Sequence, residues 1–440
     1  SDRISERYRL RLPADMVDWF DTERWRLEGG AEFSRPLAPA RLLEPDAETL
    51  WAGFMLPDTL PLIGNAYGDW LCLRAGADNS VAEILYWSHA GGDWIPYGRT
   101  LAEALAYDWA RCQANPAHLP QVDPSENNGP RETHTSWARD WLRRQGRPIA
   151  SNWGERLRAS DSTKASDVMN TGLAPHASDA KLEAEALRAA GVAEFAAARD
   201  AILAQLDTRL KHLADYRMAQ RIGVSWEPEF VRWLFDTDLI PHDRRRQLAL
   251  EIGIDERELS QDWDAAGRLA DAVSQRRTDL GWAFDVAGWA AERRGDRRGA
   301  IQRYLRGVTA SLFADHTVPF RTHWIADGFG KFSASRLHDL RAELPGESLA
   351  DPYVRLYLEG DSGDSLRRRV NRHWLERADA ERAAGERGAE YEACYSAGWD
   401  LGLDDLAGYA GLLCRMSEAA RAVGHAARGA IAEAHAARLT

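Results

Sequence analysis

The stretch Pro61–Trp109, PLIGNAYGDWLCLRAGADNSVAEILYWSHAGGDWIPYGRTLAEALAYDW, constrains the fold more than any other part of the chain, because its local signals all agree. Gly68-Asp69 opens a run from Trp70 to Arg74 in which Trp70, Cys72 and Arg74 alternate with Leu71 and Leu73. That two-residue period predicts a strand with at least one buried face. Asp78, Asn79 and Ser80 form a turn cluster, and Val81 to Trp87 is a second strand rich in apolar and aromatic residues. Gly91-Gly92-Asp93 turns the chain into a third strand, Trp94-Ile95-Pro96-Tyr97; Pro96 has no amide donor, which places this strand at an edge. The period then changes. Thr100 and Glu103 make a capping box, and Leu101, Ala104, Leu105 and Trp109 recur at helical spacing. Three antiparallel strands feeding a capped helix predict a compact α+β unit.

Upstream, residues 13–26 read as an amphipathic helix carrying Met16, Val17, Trp19, Phe20 and Trp25, and Thr49 to Met55 (TLWAGFM) as a strand joining the sheet. Residues 115–130 carry four prolines and few apolar side chains, which marks a domain boundary. A helix with Trp137, Trp141 and Leu142 follows, then a polar linker over 151–178. From about residue 180 the pattern is helical throughout, with Ala, Leu, Arg and Glu dominant and nothing resembling a strand. The expected organisation is an α+β domain over 1–115, a Pro-rich and polar linker with one helix over 116–180, and an all-α domain over 181–440. Inside the last, Phe284, Gly288, Gly295-Asp296, Ala300 and Tyr304 have the spacing of one tetratricopeptide repeat, predicting a hairpin near 281–313. Small residues at 288 and 300 let two helices approach while Tyr304 fills the gap beside them. Gly388 to Arg421 is helical without matching this pattern, so the prediction is an array of degenerate helical hairpins.

Composition excludes several classes. With 45% hydrophobic and 28% charged residues the chain is an ordinary globular one. No apolar run approaches the roughly 20 residues needed to cross a bilayer, and no signal-peptide core is seen, so the expectation is a cytoplasmic protein with no membrane association. The four cysteines (Cys72, Cys112, Cys394, Cys414) are scattered without metal-ligand spacing. A net charge of −12 argues against nucleic acid as a partner. Residues 1–115 hold eighteen acidic against eleven basic side chains, net −7, which suits steering towards a basic partner and equally suits solubility. Eighteen tryptophans are more than a core of this size needs, so one or two are expected as exposed anchors for a partner.

The candidate chemistry is thin. The sequence has no GxSxG, HExxH, Gly-rich phosphate loop or Cys–His pair with an orienting third residue, so no catalytic residues, cofactor or metal are expected. His316, Thr317, Arg321, Thr322 and His323 form the densest polar group, but two histidines seven residues apart across a proline do not define a metal site, and the group reads as structural. Asp69, Glu83 and Asp93 could be posed as paired carboxylates, yet Asp69 and Asp93 each follow a glycine and read as turn residues. Arg367-Arg368-Arg369 lies among acids and reads as a solvated helix face.

One succession of residues resembles a known family. Pro61-x-x-Gly64-x-x-x-Gly68-Asp69-Trp70-Leu71-Cys72-Leu73, then Ile84-Leu85-Tyr86-Trp87-Ser88-His89, then Trp94 and Thr100-Leu101-x-Glu103-Ala104-Leu105, is similar to the SUKH superfamily. Leu12-Pro13 with Met16, Trp19 and Phe20, followed by Gly29-Gly30, fits the family's entry helix and turn. The resemblance covers roughly residues 1–115 and rests on apolar and glycine positions. The family includes a yeast regulator of cell-wall assembly and many bacterial immunity proteins. It therefore implies a non-catalytic binding protein, as an immunity protein occluding a cognate toxin domain, with Asp69, Trp70, Glu83, Trp87, Asp93, Trp94 and Tyr97 around the sheet as contact residues. A scaffold or regulator whose helical half binds a peptide or signalling partner is the alternative.

Overall fold

The structure is a computed structural model that describes residues 1–27, 31–44, 49–114, 132–145, 194–206, 263–315, 330–359 and 363–440. The Gly29-Gly30 turn, the linker over 151–178 and the polar group His316 to His323 lie outside the described residues. The chain opens with α1 (Asp2–Tyr8) and α2 (Ala14–Asp21), followed by β1 (Arg35–Pro36), α3 (Pro39–Leu42), β2 (Thr59–Gly64), β3 (Trp70–Ala75), β4 (Val81–Trp87), β5 (Trp94–Gly98), α4 (Leu101–Ala114) and α5 (His134–Arg144). The five strands form one antiparallel sheet in chain order, and β5 with its proline is an edge strand, as the missing donor requires. The α4 cap is shifted by one residue: Thr100 Oγ1 accepts from the Glu103 amide at 3.2 Å, while the Glu103 carboxylate accepts from the Arg99 amide at 2.9 Å.

One expected strand is wrong. Residues 51–55 form a turn in which the Phe54 and Met55 amides both donate to the Trp51 carbonyl, and Gly53 takes φ +84°. The strand that joins the sheet is Thr59–Gly64 instead, buried along its whole length. Its apolar run shows no alternation because both faces are covered, and Pro61 sits where the pairing register shifts.

The remaining elements are helical: α6 (Glu194–Leu206), α7 (Trp263–Ser274), α8 (Gly281–Arg293), α9 (Arg297–Gly307), α10 (Phe332–Asp339), α11 (Gly346–Ala350), α12 (Pro352–Leu358), α13 (Gly363–Ala384), α14 (Arg387–Trp399), α15 (Leu406–Ala422) and α16 (Ala426–Ala437). The chain is thus α+β and then all-α. Its compact units, however, are not contiguous in sequence. The first takes Ser1–Thr163, Ala186–Ala197 and Arg367–Thr440, and the second takes Lys164–Glu185 and Ala198–Leu366. Neither the 116–180 linker nor the single 181–440 domain describes this division. Helix α5 belongs to the core of the first unit, where Trp137 packs on Trp19 at 5.0 Å and donates to Asp18 at 2.7 Å. The final helices join it too, with Ala427, Ile431 and Ala434 of α16 in the same core.

Strand alternation gives the sheet of the first unit two unlike faces. Leu60, Ile63, Leu71, Leu73 and Ile84 point into the main core with Met16, Trp19 and Leu105. Cys72, Arg74, Glu83, Trp87 and Trp94 point the other way, where Met55, Cys72 and Trp87 make a small separate cluster with Trp70 against it. This second face is covered by α14. Trp399 donates its indole N–H to the Met55 carbonyl at 3.1 Å, and Arg74 donates to the Tyr395 hydroxyl at 3.2 Å. Helix α16 closes the adjoining end of the sheet through Arg428 on the Ala75 carbonyl and His435 on the Thr59 carbonyl, and Asn79 bonds the Gly424 carbonyl and the Ala427 amide.

In the second unit, α8 and α9 form the expected hairpin. A Cβ at Gly288 would strike the Tyr304 ring, and Tyr304 donates to Glu292 at 2.9 Å, a carboxylate also gripped by Arg336. The α8–α9 turn has Gly295 at φ +81°, with its amide on the Glu292 carbonyl and the Asp296 amide on the Ala291 carbonyl. The same turn recurs twice in the first unit, at Gly385-Glu386 (φ +80°) and Gly424-His425 (φ +81°), with equivalent hydrogen bonds. The hairpin has three copies among the described residues, two of which the repeat pattern does not find.

Candidate functional site

The seven residues expected at a partner surface do not form one. Asp69, Trp87, Asp93, Trp94 and Tyr97 are buried. Trp70 and Glu83 are half-buried, and Glu83 is paired with Arg74 at 3.3 Å. Trp70, Glu83, Trp87 and Trp94 do share one face of the sheet, but α14 lies over it. Tyr97 points into the opposite core, where its ring meets Tyr107 at 5.0 Å. The turn reading of Asp69 holds, and its carboxylate does more than turn the chain.

Asn65 begins the β2–β3 turn by accepting the amides of Tyr67 and Asp69, both at 2.9 Å, and Gly68 takes φ +98°. This throws Tyr67 outwards, where it is 69% exposed. The Asp69 carboxylate collects four donors: the Asn65 amide side chain at 2.9 Å, the Tyr86 hydroxyl at 3.1 Å, the His89 amide at 3.0 Å and His89 Nδ1 at 2.8 Å. Burial pushes its pKa up, but the hydrogen bonds from His89, Asn65 and Tyr86 outweigh burial and hold it below the usual carboxylate range. Tyr86 is raised by burial and then by the Asp69 charge. An ionised carboxylate only accepts, so Nδ1 of His89 carries the proton, on a side chain 43% exposed. That is a base with its orienter. Among the described residues, however, no serine, threonine or cysteine side chain is bonded to it.

Beside these turns lies an apolar rim. Trp51 is 46% exposed, Phe54 48% and Leu406 of α15 47%. Trp51 packs on Trp87 at 5.9 Å, and Trp87 donates to the Phe54 carbonyl at 3.2 Å. Two glycines fit these parts together. A Cβ on Gly92 would lie 2.9 Å from the Phe54 carbonyl oxygen, and one on Gly53 would lie 3.1 Å from Leu406. The sequence does hold a signal for the rim. Gly53 between two aromatics three residues apart argues for a turn rather than a strand.

One group could match a metal's ligand spacing. Glu32, Asp108 and Cys112 bring their donor atoms within 4.8 Å of one another, the last two from one face of α4. The chemistry disfavours an ion. Burial lifts Asp108 to about 7 and the Cys112 thiol to about 12, and the Arg111 guanidinium, 3.8 Å from Glu32, already supplies a positive charge. The Phe33 amide and the Tyr97 hydroxyl occupy the Asp108 oxygens. Among the described residues, no helix is long and apolar enough to cross a membrane.

Compared with family models, curated proteins and solved structures, the chain matches none.

Proposed function

We propose that this chain is a non-catalytic protein-binding protein whose contact surface is the rim of Trp51, Phe54, Tyr67 and Leu406. The exposure of these side chains carries the reading: large apolar groups close to half exposed or more, on turns fixed by glycine fits and by the Asp69 network and at the start of α15, suit anchors that fill a partner's pockets. The SUKH-like motif adds a finer proposal. The chain is an immunity protein that occludes a cognate toxin domain, with its acidic N-terminal region steering the approach of a basic partner. A scaffold role for the second unit is the other reading, supported by the tight α8–α9 hairpin.

The test uses full-length protein as bait in lysate of the source cell, beside a Trp51→Ala/Phe54→Ala variant. Support is one stoichiometric, toxin-like protein held by the wild type and lost from the variant. Equal capture by both baits moves the contact away from the rim and favours the scaffold reading.

A further inference from the structure

Six tryptophans among the described residues are partly exposed: Trp25, Trp51, Trp70, Trp109, Trp141 and Trp374. Four of them carry an arginine of the same chain over the ring. Arg26 lies 4.7 Å from the Trp25 centroid, Arg139 3.9 Å from Trp109, Arg144 5.3 Å from Trp141 and Arg377 5.8 Å from Trp374. Of the two without an arginine, Trp70 packs on the outer face of the sheet and Trp51 stands at the rim, both beside Trp87. Phe54 and Tyr67 carry none either, although Tyr67 is the most exposed large hydrophobic side chain of the described residues. The pattern separates the rim from the other partly exposed tryptophans. Elsewhere the chain screens an indole face with its own guanidinium, which is planar, weakly hydrated and attracted by the ring quadrupole.

We infer that the rim receives an arginine from its partner: the occupant is a protein segment presenting a guanidinium beside an aliphatic or aromatic side chain. The guanidinium stacks on the open rings of Trp51 and Phe54, and the apolar neighbour packs against Leu406. Charge favours this occupant. The Asp69 carboxylate lies beneath the adjoining turns, Asp404 and Asp405 precede Leu406, and the whole chain carries −12. Arg367 and Arg368 lie 3.9 and 3.8 Å from Asp404, while the Asp405 carboxylate caps α15 by accepting the Ala407 amide at 3.0 Å and adds its negative charge beside the aromatic faces. The inference rests on the protein-binding reading and names the chemistry that reading leaves open.

The probe is a random twelve-residue peptide library displayed on phage, panned on the full-length protein and counter-selected on the Trp51→Ala/Phe54→Ala variant. Circular dichroism first establishes that the variant keeps its fold, as expected for side chains already half in water. The expected result is a family of peptides with arginine next to Leu, Phe or Trp. Replacing that arginine by glutamine should weaken binding about tenfold or more, and replacing it by lysine less. Peptides that depend on Trp51 and Phe54 but lack a cation, or tolerate Arg→Gln, would overturn the arginine inference and leave the protein-binding reading standing. Failure to recover any peptide that depends on Trp51 or Phe54 would overturn the inference and remove the rim as a contact surface.

Discussion

The two faces of the sheet are built from the same strands and hold together in different ways. The inner face is a continuous apolar core of Leu60, Leu71, Leu73 and Ile84, packed mainly by α2 and α4, which lie close in sequence, and completed by α16. The outer face is closed around an ion-paired arginine. Arg74 binds Asp58 at 3.0 Å, Glu83 at 3.3 Å and the Tyr395 hydroxyl, and packs over Trp94 at 5.3 Å. Asp58 Oδ1 and the Tyr391 hydroxyl are buried there without a hydrogen-bond partner among the described residues. Apolar burial is non-directional and tolerates small errors of fit, whereas buried ions need every partner in place. The difference is that between a core and an internal interface.

The severest way to break this contrast is to end the chain at residue 366, which removes α14 from the outer face and α16 from the sheet end and the inner core. Hydrogen exchange should then find the amides of β3 and β4 without protection, and native protection in that truncation would mean that the sheet needs no cover. Next comes Arg74→Met, which strands Asp58 as an uncompensated buried charge and should cost about 3–5 kcal/mol in urea unfolding. Adding Asp58→Leu should recover most of that loss, since removing both charges is far cheaper than removing one. On the inner face Leu73→Ala should cost about 2–5 kcal/mol through its cavity, with no second substitution that rescues it.

Smaller effects sharpen the comparison. Asp108, buried under the inner face, has its carboxyl raised to about 7 by burial, against about 3.9 when unfolded. Folding therefore takes up a proton between those values, and the Asp108 contribution grows less favourable as pH rises through that window. The stability of Asp108→Asn relative to wild type should increase from about pH 4 to pH 7 and then level off, as read from denaturation midpoints. A difference that is flat with pH would mean that Asp108 is ionised in the fold. Smallest is Trp399→Phe, which removes the hydrogen bond to the Met55 carbonyl and should cost about 0.5–1.5 kcal/mol.

What the sequence reveals follows the same divide. The inner face is legible because Leu71, Leu73 and Ile84 announce it by alternation within one short stretch. The outer face has the same alternation, but Arg74 and Glu83 give it the look of a solvent or partner surface. Its cover, Tyr395 and Trp399, lies more than three hundred residues downstream with no local signal to join them. The candidate site was misplaced for this reason. Asp69 was legible as a turn residue from Gly68, whereas His89 gains its role only through a bond across twenty positions. The hairpin at Gly288 and Tyr304 was legible from small-residue spacing. Its siblings at Gly385 and Gly424 were not, because Cys394 and Glu433 stand where the first copy has Tyr304, and Glu386 and His425 where it has Asp296.

The clasp of Asn79 on the Gly424 carbonyl spans 345 positions, and that span sets a clock. The entropy of closing so long a loop rises only with the logarithm of its length, so the finished protein loses little by it. The nascent chain loses time. Once β3 to β5 have left the ribosome, about 300 further residues must be made before α14 appears, a delay of roughly 15–60 s at ordinary translation speeds. Through that interval Trp87 and Trp94 lack their cover, and the rim lacks Leu406. A chain broken off before α15 keeps Trp51, Phe54 and Tyr67 but never acquires Leu406, so its rim stays incomplete.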